Sequence, residues 1–316
     1  MRRVAVIYNP FSGQHSVRRA GAMRDAMAVL SDAGVAAEAF ETDTPGSSAE
    51  HARNAAQQGF DTIIVCGGDG TVHEVLQSLV GTPVALGVVP LGTANALASD
   101  LGLIGSPAGV MRKLLKAVPA KIPVGLIHYS SSDGTPSSRY FTVAAGIGAD
   151  ALLMARMDPG LKRRLGYVLY LIEATRIWST HNFPLFETAF TNNGDGVSRT
   201  EEISQLLAVR VRTFGGAVRE LAPGATLRSG RLQVLVFKTR SRLSYMRFLL
   251  AVIAARHTFK NEIELVDTHT IECRSRNGSK VPIYVEADGE FLGSLPVRME
   301  VVPDALNLLI PAGAQP

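Results

Sequence analysis

The apolar positions of this 316-residue chain follow two rhythms, and the change comes near residue 123. Val4 to Tyr8 is a continuous apolar run of strand length, ending in Asn9-Pro10-Phe11-Ser12-Gly13. Helical spacing follows, with Val17, Ala20, Met23, Met27 and Leu30 on one face and Gly34 as the stop. Val35 to Phe40 reads as a second strand, and Ser47 and Glu50 have capping-box spacing for a helix that stops at Gly59. Ile63 to Cys66 is a third strand, rich in β-branched residues that suit a covered, pleated surface. Val72, Val75, Leu76 and Leu79 then recur at helical spacing. Val84 to Val89 is a fourth strand, broken at Pro90-Leu91-Gly92-Thr93-Ala94-Asn95 before another helix. Strands alternating with helices through about residue 122 predict a parallel sheet covered on both faces.

Beyond Pro123 the alternation gives way to strand-like runs separated by turn residues: Tyr140 to Ala145, Phe186 to Thr191, Leu206 to Thr213, Leu232 to Lys238 and Ile263 to Cys273. They predict an antiparallel, sandwich-like second domain, interrupted by helical pieces near residues 150–178 and 242–258. The expected fold class is α/β in two domains, an N-terminal three-layer α/β/α domain over 1–122 and a C-terminal antiparallel β-sandwich over 123–303. Whether the last apolar run, Leu306 to Ile310, returns to the first domain is left open by its pattern alone.

Candidate chemistry enters at the third strand. Gly67-Gly68-Asp69-Gly70-Thr71 lies between a strand and a helix start, where phosphate oxygens can approach bare backbone N–H groups and the helix dipole adds attraction. Asp69 does not attract phosphate, because like charges repel. It fits as an acceptor for ribose or backbone groups, or as a partner of Mg2+ travelling with a nucleotide. A lone glycine turn of this kind is as readily plain structure. Here the loops at 9–13, 67–71 and 90–95 fall on one edge, beyond the carboxyl ends of the strands, where ligands sit in such sheets. Late in the second domain, Asp288-Gly289-Glu290 places two carboxylates on one side of an extended chain, where mutual repulsion favours a general base. An Asp-Gly hairpin turn accounts for the same tripeptide without chemistry.

Composition narrows the class rather than the function. Moderate charge and ordinary hydrophobic content exclude a disordered or fibrous chain. Two cysteines, Cys66 and Cys273, form no disulfide or zinc framework and fit a reducing cytosol. The opening Met1-Arg2-Arg3 leads into too few apolar residues for a secretory leader. The longest apolar run, Phe248 to Ala255, is far short of the ~20 residues that span a bilayer. A net charge of +4 fits an acidic partner, nucleotide or anionic lipid, but is common among plain enzymes.

The motifs together resemble the diacylglycerol kinase catalytic-domain family, in particular its soluble bacterial lipid kinases. The resemblance rests on Asn9-Pro10 with Ser12-Gly13, Gly67-Gly68-Asp69-Gly70-Thr71 with Glu74, Pro90 to Asn95, Ala145-Gly146-Ile147-Gly148, Gly215-Gly216 with Ala222-Pro223, and Asp288-Gly289-Glu290. It implies ATP on the first domain, a C-terminal tail (304–316) that returns to that domain, and a lipid hydroxyl phosphorylated from Mg·ATP. Gly67, Gly68, Asp69, Gly70, Thr71, Gly92, Thr93 and Asn95 would hold the nucleotide, with Asn9, Ser12, Gly13, Thr42 and Glu74 as further contacts. Asp288 is favoured as the base that takes the lipid proton, with Glu290 as its partner. The implied partner is a diacylglycerol-like or sphingoid-like lipid at a membrane surface, not nucleic acid, for a cytoplasmic protein with peripheral contact at the inner face. Oligomeric state is open, a dimer included. Arg156, Lys162, Arg163 and Arg164 near Leu152, Leu153 and Met154 are candidates for that contact, or equally a solvated basic helix end.

The departures from the family are as specific as the matches. Where relatives carry acidic residues for a structural metal, this chain has Arg228-Ser229-Gly230-Arg231-Leu232-Gln233, with proline at 123 and Arg210-Val211-Arg212 in place of an expected asparagine. Hard cations need oxygen ligands, usually carboxylates, so no structural metal is expected. A nucleotide- or lipid-binding relative without turnover, or an NAD kinase, are the competing readings. The Pro90 to Asn95 loop disfavours the second.

Overall fold

The computed structural model describes residues 1–10, 16–131, 133–157, 167–192, 198–214, 220–254, 262–277 and 281–314. They form two compact units: Met1–Val124 with Pro303–Pro316 and a short piece at 213–215, and the remainder of 125–302.

In the first unit the parallel sheet runs β2 (Ala36–Glu41), β1 (Arg3–Tyr8), β3 (Thr62–Gly67), β4 (Ala85–Pro90). The closing part of β15 (Glu290–Ile310) adds a fifth strand, with Asn307 and Leu308 parallel to Ala85 and Leu86. Every residue of β3 is buried, which explains its unbroken apolar run, whereas β2 at the edge is largely exposed. The helices are α1 (Ser16–Asp32), α2 (Ser47–Gln57), α3 (Asp69–Leu79), α4 (Ala96–Asp100) and α5 (Pro107–Leu115). At α2 the capping box does not form. The N-cap is Gly46, at φ 86 and without a side-chain cap, and its N–H donates instead to Glu74 Oε1 at 3.3 Å.

The second unit contains β5 (Val118–Ser130, which begins in the first), β6 (Pro136–Phe141), β7 (Ala144–Ile147), β8 (Phe186–Thr191), β9 (Ser198–Ile203), β10 (Gln205–Val209), β11 (Leu232–Phe237), β12 (Ile263–Thr268), β13 (Thr270–Ser275) and β14 (Tyr284–Ala287). The pairs along β12-β11-β10-β7-β14-β15 are antiparallel, as are those of β13, β8 and β9, which branch from β15. Phe141, Phe186, Phe190, Leu206, Val234, Ile271 and Val285 form its core. The helices are α6 (Ala149–Arg156), α7 (Tyr167–Thr180) and α8 (Arg242–Ile253).

Two strands expected to be continuous are divided and a third is shortened, each at a polar residue. The 140–145 run breaks at Thr142-Val143, the 263–273 run at His269, and the 206–213 run ends at Val209 because Arg210 turns inward.

Candidate functional site

Four adjacent parallel strands, β2, β1, β3 and β4, end at one edge of the first unit, and backbone bonds stitch their loops together. Asn9 N–H donates to Cys66 O (3.1 Å), Thr42 N–H to Tyr8 O (3.0 Å) and Leu91 N–H to Gly67 O (2.9 Å). Gly67 and Gly68 are glycine for reasons of space. Gly68 has φ −94, which any residue adopts, but a Cβ there would lie 3.3 Å from Gly92 Cα. A Cβ on Gly92 would lie 2.6 Å from Gly68 Cα, and one on Gly67 would meet Thr71 at 2.9 Å. Two backbones therefore run in contact at the start of α3, whose N-cap Gly68 supplies no side-chain cap.

Asp69 holds this arrangement. Its carboxylate accepts from Asn95 N–H and Ala96 N–H, both at 2.8 Å, and so caps α4 from another segment. Asn95, at φ 49, folds its side chain back to accept from Gly92 N–H (2.9 Å) and donate to Gly92 O (2.7 Å). Asn9 Nδ2 reaches Thr71 Oγ1 at 3.4 Å. Gly67, Gly68, Asp69, Thr71, Gly92, Asn95 and Asn9 are thus brought together. Gly70 is in the first turn of α3, Thr42 is buried just after β2, and Thr93 is exposed on the loop. Glu74 is turned elsewhere: it accepts from Gly46 N–H and Ser48 Oγ–H at the start of α2. Ser12 and Gly13 lie outside the described residues. A cavity of about 790 Å³ opens beside Asn9 and Pro10, but it runs along α1 against Met23 and Met27 rather than over the glycines.

In the second unit the Asp-Gly-Glu tripeptide is a turn between β14 and β15, with Asp288 at φ 49 and Gly289 at φ 82. It is not an extended segment. Asp288 Oδ1 accepts from Val143 N–H (2.8 Å) and Ala144 N–H (3.0 Å), and Oδ2 from Thr142 N–H (2.9 Å). Its own N–H donates to Ala144 O at 2.8 Å. The break between β6 and β7 is what aims those three amides at one carboxylate. Glu290, one residue past the turn, is exposed.

Sequence reasoning passed over the groups packed beneath this turn. Glu286, only 6% exposed on β14, lies opposite Gly146 of β7 and accepts from Gly289 N–H at 2.8 Å. The place where a Gly146 Cβ would sit is taken by Asp150 Oδ2 (1.8 Å) and Glu286 Oε1 (2.8 Å), so the two carboxyls face each other across a glycine. Burial pushes Asp150 up to about 7, and burial plus the Asp150 charge hold Glu286 well above the usual carboxylate range. Arg210 is the third, a charged residue among Ala208, Val209 and Val211, only 1% exposed. Glu286 and Arg210 were detectable as charges interrupting otherwise apolar strand patterns, whereas Asp150, in the first turn of α6, carried no such signal. Of the basic residues near α6, Arg156 is exposed, Leu152 is buried, and Lys162, Arg163 and Arg164 lie outside the described residues.

Comparison with known proteins finds a match for each half of the chain. Residues 3–127 match the diacylglycerol kinase catalytic domain, and residues 141–310 match the YegS C-terminal NAD kinase beta sandwich-like domain. A diacylglycerol kinase of Mycobacterium tuberculosis is 29% identical over 324 residues, covering 98% of this chain and 95% of that protein. One of Bacillus subtilis is 27% identical over 298 residues, covering 94% and 92%. The crystal structure of a putative diacylglycerol kinase from Bacillus anthracis, 21% identical, superposes with a TM-score of 0.77 over 99% of this chain and 97% of that one. The chain belongs to the diacylglycerol kinase catalytic-domain family, a family of lipid kinases, and carries the YegS-type second domain.

Proposed function

We propose that the protein transfers the γ-phosphoryl group of Mg·ATP to a hydroxyl of a diacylglycerol-like or sphingoid-like lipid. The observation that carries this reading is the contact of two bare backbones, Gly68 against Gly92, at an α3 start without a side-chain cap. Such a surface suits phosphate oxygens, because N–H groups and the helix dipole are presented with no side chain in the way. Mg·ATP, when bound, supplies the phosphoryl group and a cation that offsets its charge. Gly67 to Thr71, Gly92, Thr93 and Asn95 would hold the phosphates, with Asn9 and Thr42 beside them. Asp69 acts through the protein, by fixing the 92–96 loop with its two N–H bonds.

Asp288 is the proposed acceptor of the lipid proton. Its carboxylate is held in place by three amides, with Thr142 Oγ1 also donating to Oδ2 at 3.4 Å, so its position and direction are fixed. Exposed Glu290 is its proposed partner. Among the described residues no helix is long and apolar enough to cross a membrane. For contact with a lipid surface we propose α8, where Leu243 and Leu250 are 65% and 57% exposed and share a helical face with Arg247.

Incubating the purified protein with labelled ATP and vesicles carrying diacylglycerol, sphingoid bases or other lipid alcohols tests the reading. Label entering a lipid in a Mg2+-dependent way is the expected result. ATP binding without transfer to any lipid supports the non-catalytic reading instead, and transfer to NAD supports an NAD kinase.

A further inference from the structure

Arg210 is a positive charge almost wholly buried, only 1% exposed. It follows the last residue of β10, and its N–H donates to Val143 O at 2.9 Å, inside the segment whose amides hold Asp288. Its side chain turns into the unit, and Nη2 donates to Leu227 O at 3.1 Å and Ser229 O at 3.2 Å. The guanidinium thus collects two main-chain carbonyls of one turn, and the negative charge of Asp288 also acts on it. Collecting backbone carbonyls beside a carboxylate is also how a protein holds a hard cation.

A divalent ion does not fit there. The turn 228–233 offers no carboxylate, and its Arg228 and Arg231 are exposed and point no negative charge inward. Among the described residues no three His, Cys, Asp or Glu side chains are grouped to bind a metal. An ion at the Leu227 and Ser229 carbonyls would also be repelled by the guanidinium already bonded to them. The turn is otherwise closed by its own hydroxyl, Ser229 Oγ accepting from Arg231 N–H at 3.0 Å.

We propose that Arg210 is a built-in structural cation: it ties the 227–231 turn to the Asp288 turn and does the work that a bound divalent ion would otherwise do. Burial lowers the guanidinium to about 10, against the opposing pull of Asp288, so the charge is present at neutral pH. Arginine suits the role better than lysine, because both carbonyls are met by one nitrogen, Nη2, of a planar, delocalised cation that is more weakly hydrated than an ammonium. Toward catalysis Arg210 is a positioning residue, and that half of the inference rests on the proposed role of Asp288.

The test compares Arg210→Gln, which removes the charge, with Arg210→Lys, which keeps it and loses the planar guanidinium. Wild-type protein should contain no stoichiometric divalent metal, and its melting temperature should not change with EDTA or with added Mg2+ or Mn2+. Arg210→Gln should melt several degrees lower and lose roughly ten-fold or more in kcat, with KM for ATP unchanged. Arg210→Lys should recover part of both. If Arg210→Gln does not fold, the metal analysis, the EDTA melt and the lysine variant still decide. A tightly held divalent ion near residues 227–231 whose removal lowers the melting temperature would overturn the proposal. So would Arg210→Gln melting with wild type, or lysine doing no better than glutamine. If no lipid is phosphorylated by wild-type protein while the melting and metal results come out as expected, the kinase reading fails and the structural cation stands.

Discussion

Asp69 and Asp288 both precede a glycine in a motif that reads as chemistry, and both spend their carboxylates on backbone. Asp69 accepts from the amides of Asn95 and Ala96, and Asp288 from those of Thr142, Val143 and Ala144. They differ in what lies around them. Asp69 opens a helix, and the glycines beside it are there to let two backbones touch. Asp288 sits in the left-handed region at the tip of a turn, above a facing acid pair and within reach of a buried guanidinium's charge. The first aspartate shapes a surface for something else to bind. The second is itself held rigid at a fixed place, as the proposed proton-accepting role requires.

Substitution by asparagine is the strongest way to break this comparison, because it keeps the size and replaces one acceptor oxygen by a donor. In Asp288→Asn the new N–H2 must face an amide N–H, so at least one bond is lost in addition to the charge. Turnover should fall by roughly 10²–10⁴, and the melting temperature should fall too, by an amount equivalent to about 1–3 kcal/mol. Glu290→Gln, with no such network to disturb, should affect turnover without affecting the melt. Asp69→Asn should loosen the 92–96 loop and weaken ATP binding, measured by calorimetry, while leaving the second unit's stability alone. If Asp288→Asn keeps full turnover, the proton acceptor is elsewhere, and Glu290 is the next candidate.

The glycines give a second, smaller effect and separate space from backbone angle. A Cβ on Gly92 would lie 2.6 Å from Gly68 Cα, closer than real Cβ contacts allow, whereas one on Gly68 meets Gly92 at 3.3 Å. Gly92→Ala should therefore destabilise by about 1–3 kcal/mol through forced separation of the two loops. Gly68→Ala should nearly keep its stability and lose ATP affinity, because the methyl group stands on the proposed phosphate surface. Equal affinity of Gly68→Ala and wild type for ATP would make the loop structural only.

What could be read from sequence follows the same division. The first unit was legible because local rules act consistently there: β-branched runs make β3 and β4, glycine punctuation marks the loops, and parallel strands bring those loops to one edge. Two details escaped. Glu74 turned out to cap α2 rather than face the glycine loop, and Gly46 took the place of the Ser47 cap, because both depend on contacts 26 to 28 residues apart in sequence. In the second unit the antiparallel strands were legible and their interruptions were not. Thr142-Val143, Arg210 and Glu286 have meaning only once β7, β10 and β14 are adjacent, with Glu286 opposite Gly146 and Leu207 opposite it on the other side. Strand periodicity places such residues on a face but does not say what waits there.

The acid pair of Asp150 and Glu286 has no counterpart in the Asp69 loop as described, and it sharpens the comparison through pH. Besides each other, the charged groups acting on Glu286 are Asp288 and Glu290 of its own turn, while Asp150 also acts on Tyr245 of α8. In the unfolded chain both acids lose their protons near the ordinary value, 3.8 for Asp150. In the folded protein two facing, buried carboxyls resist ionising together, and Asp150 stays protonated up to about 7. Between those values the unfolded state binds fewer protons than the folded one, so stability falls as pH rises. The slope is at most about 1.4 kcal/mol per pH unit for each retained proton. The fall should begin near pH 4 and level off once the folded pair has ionised, for Asp150 at about 7. Thermal melts across that range check it. Glu286→Gln, whose side-chain carbonyl still accepts from Gly289 N–H, should flatten the curve by removing one of the two acids. A wild-type melting temperature that rises through the same interval, or a glutamine variant with an unaltered slope, would show that the pair carries no retained proton.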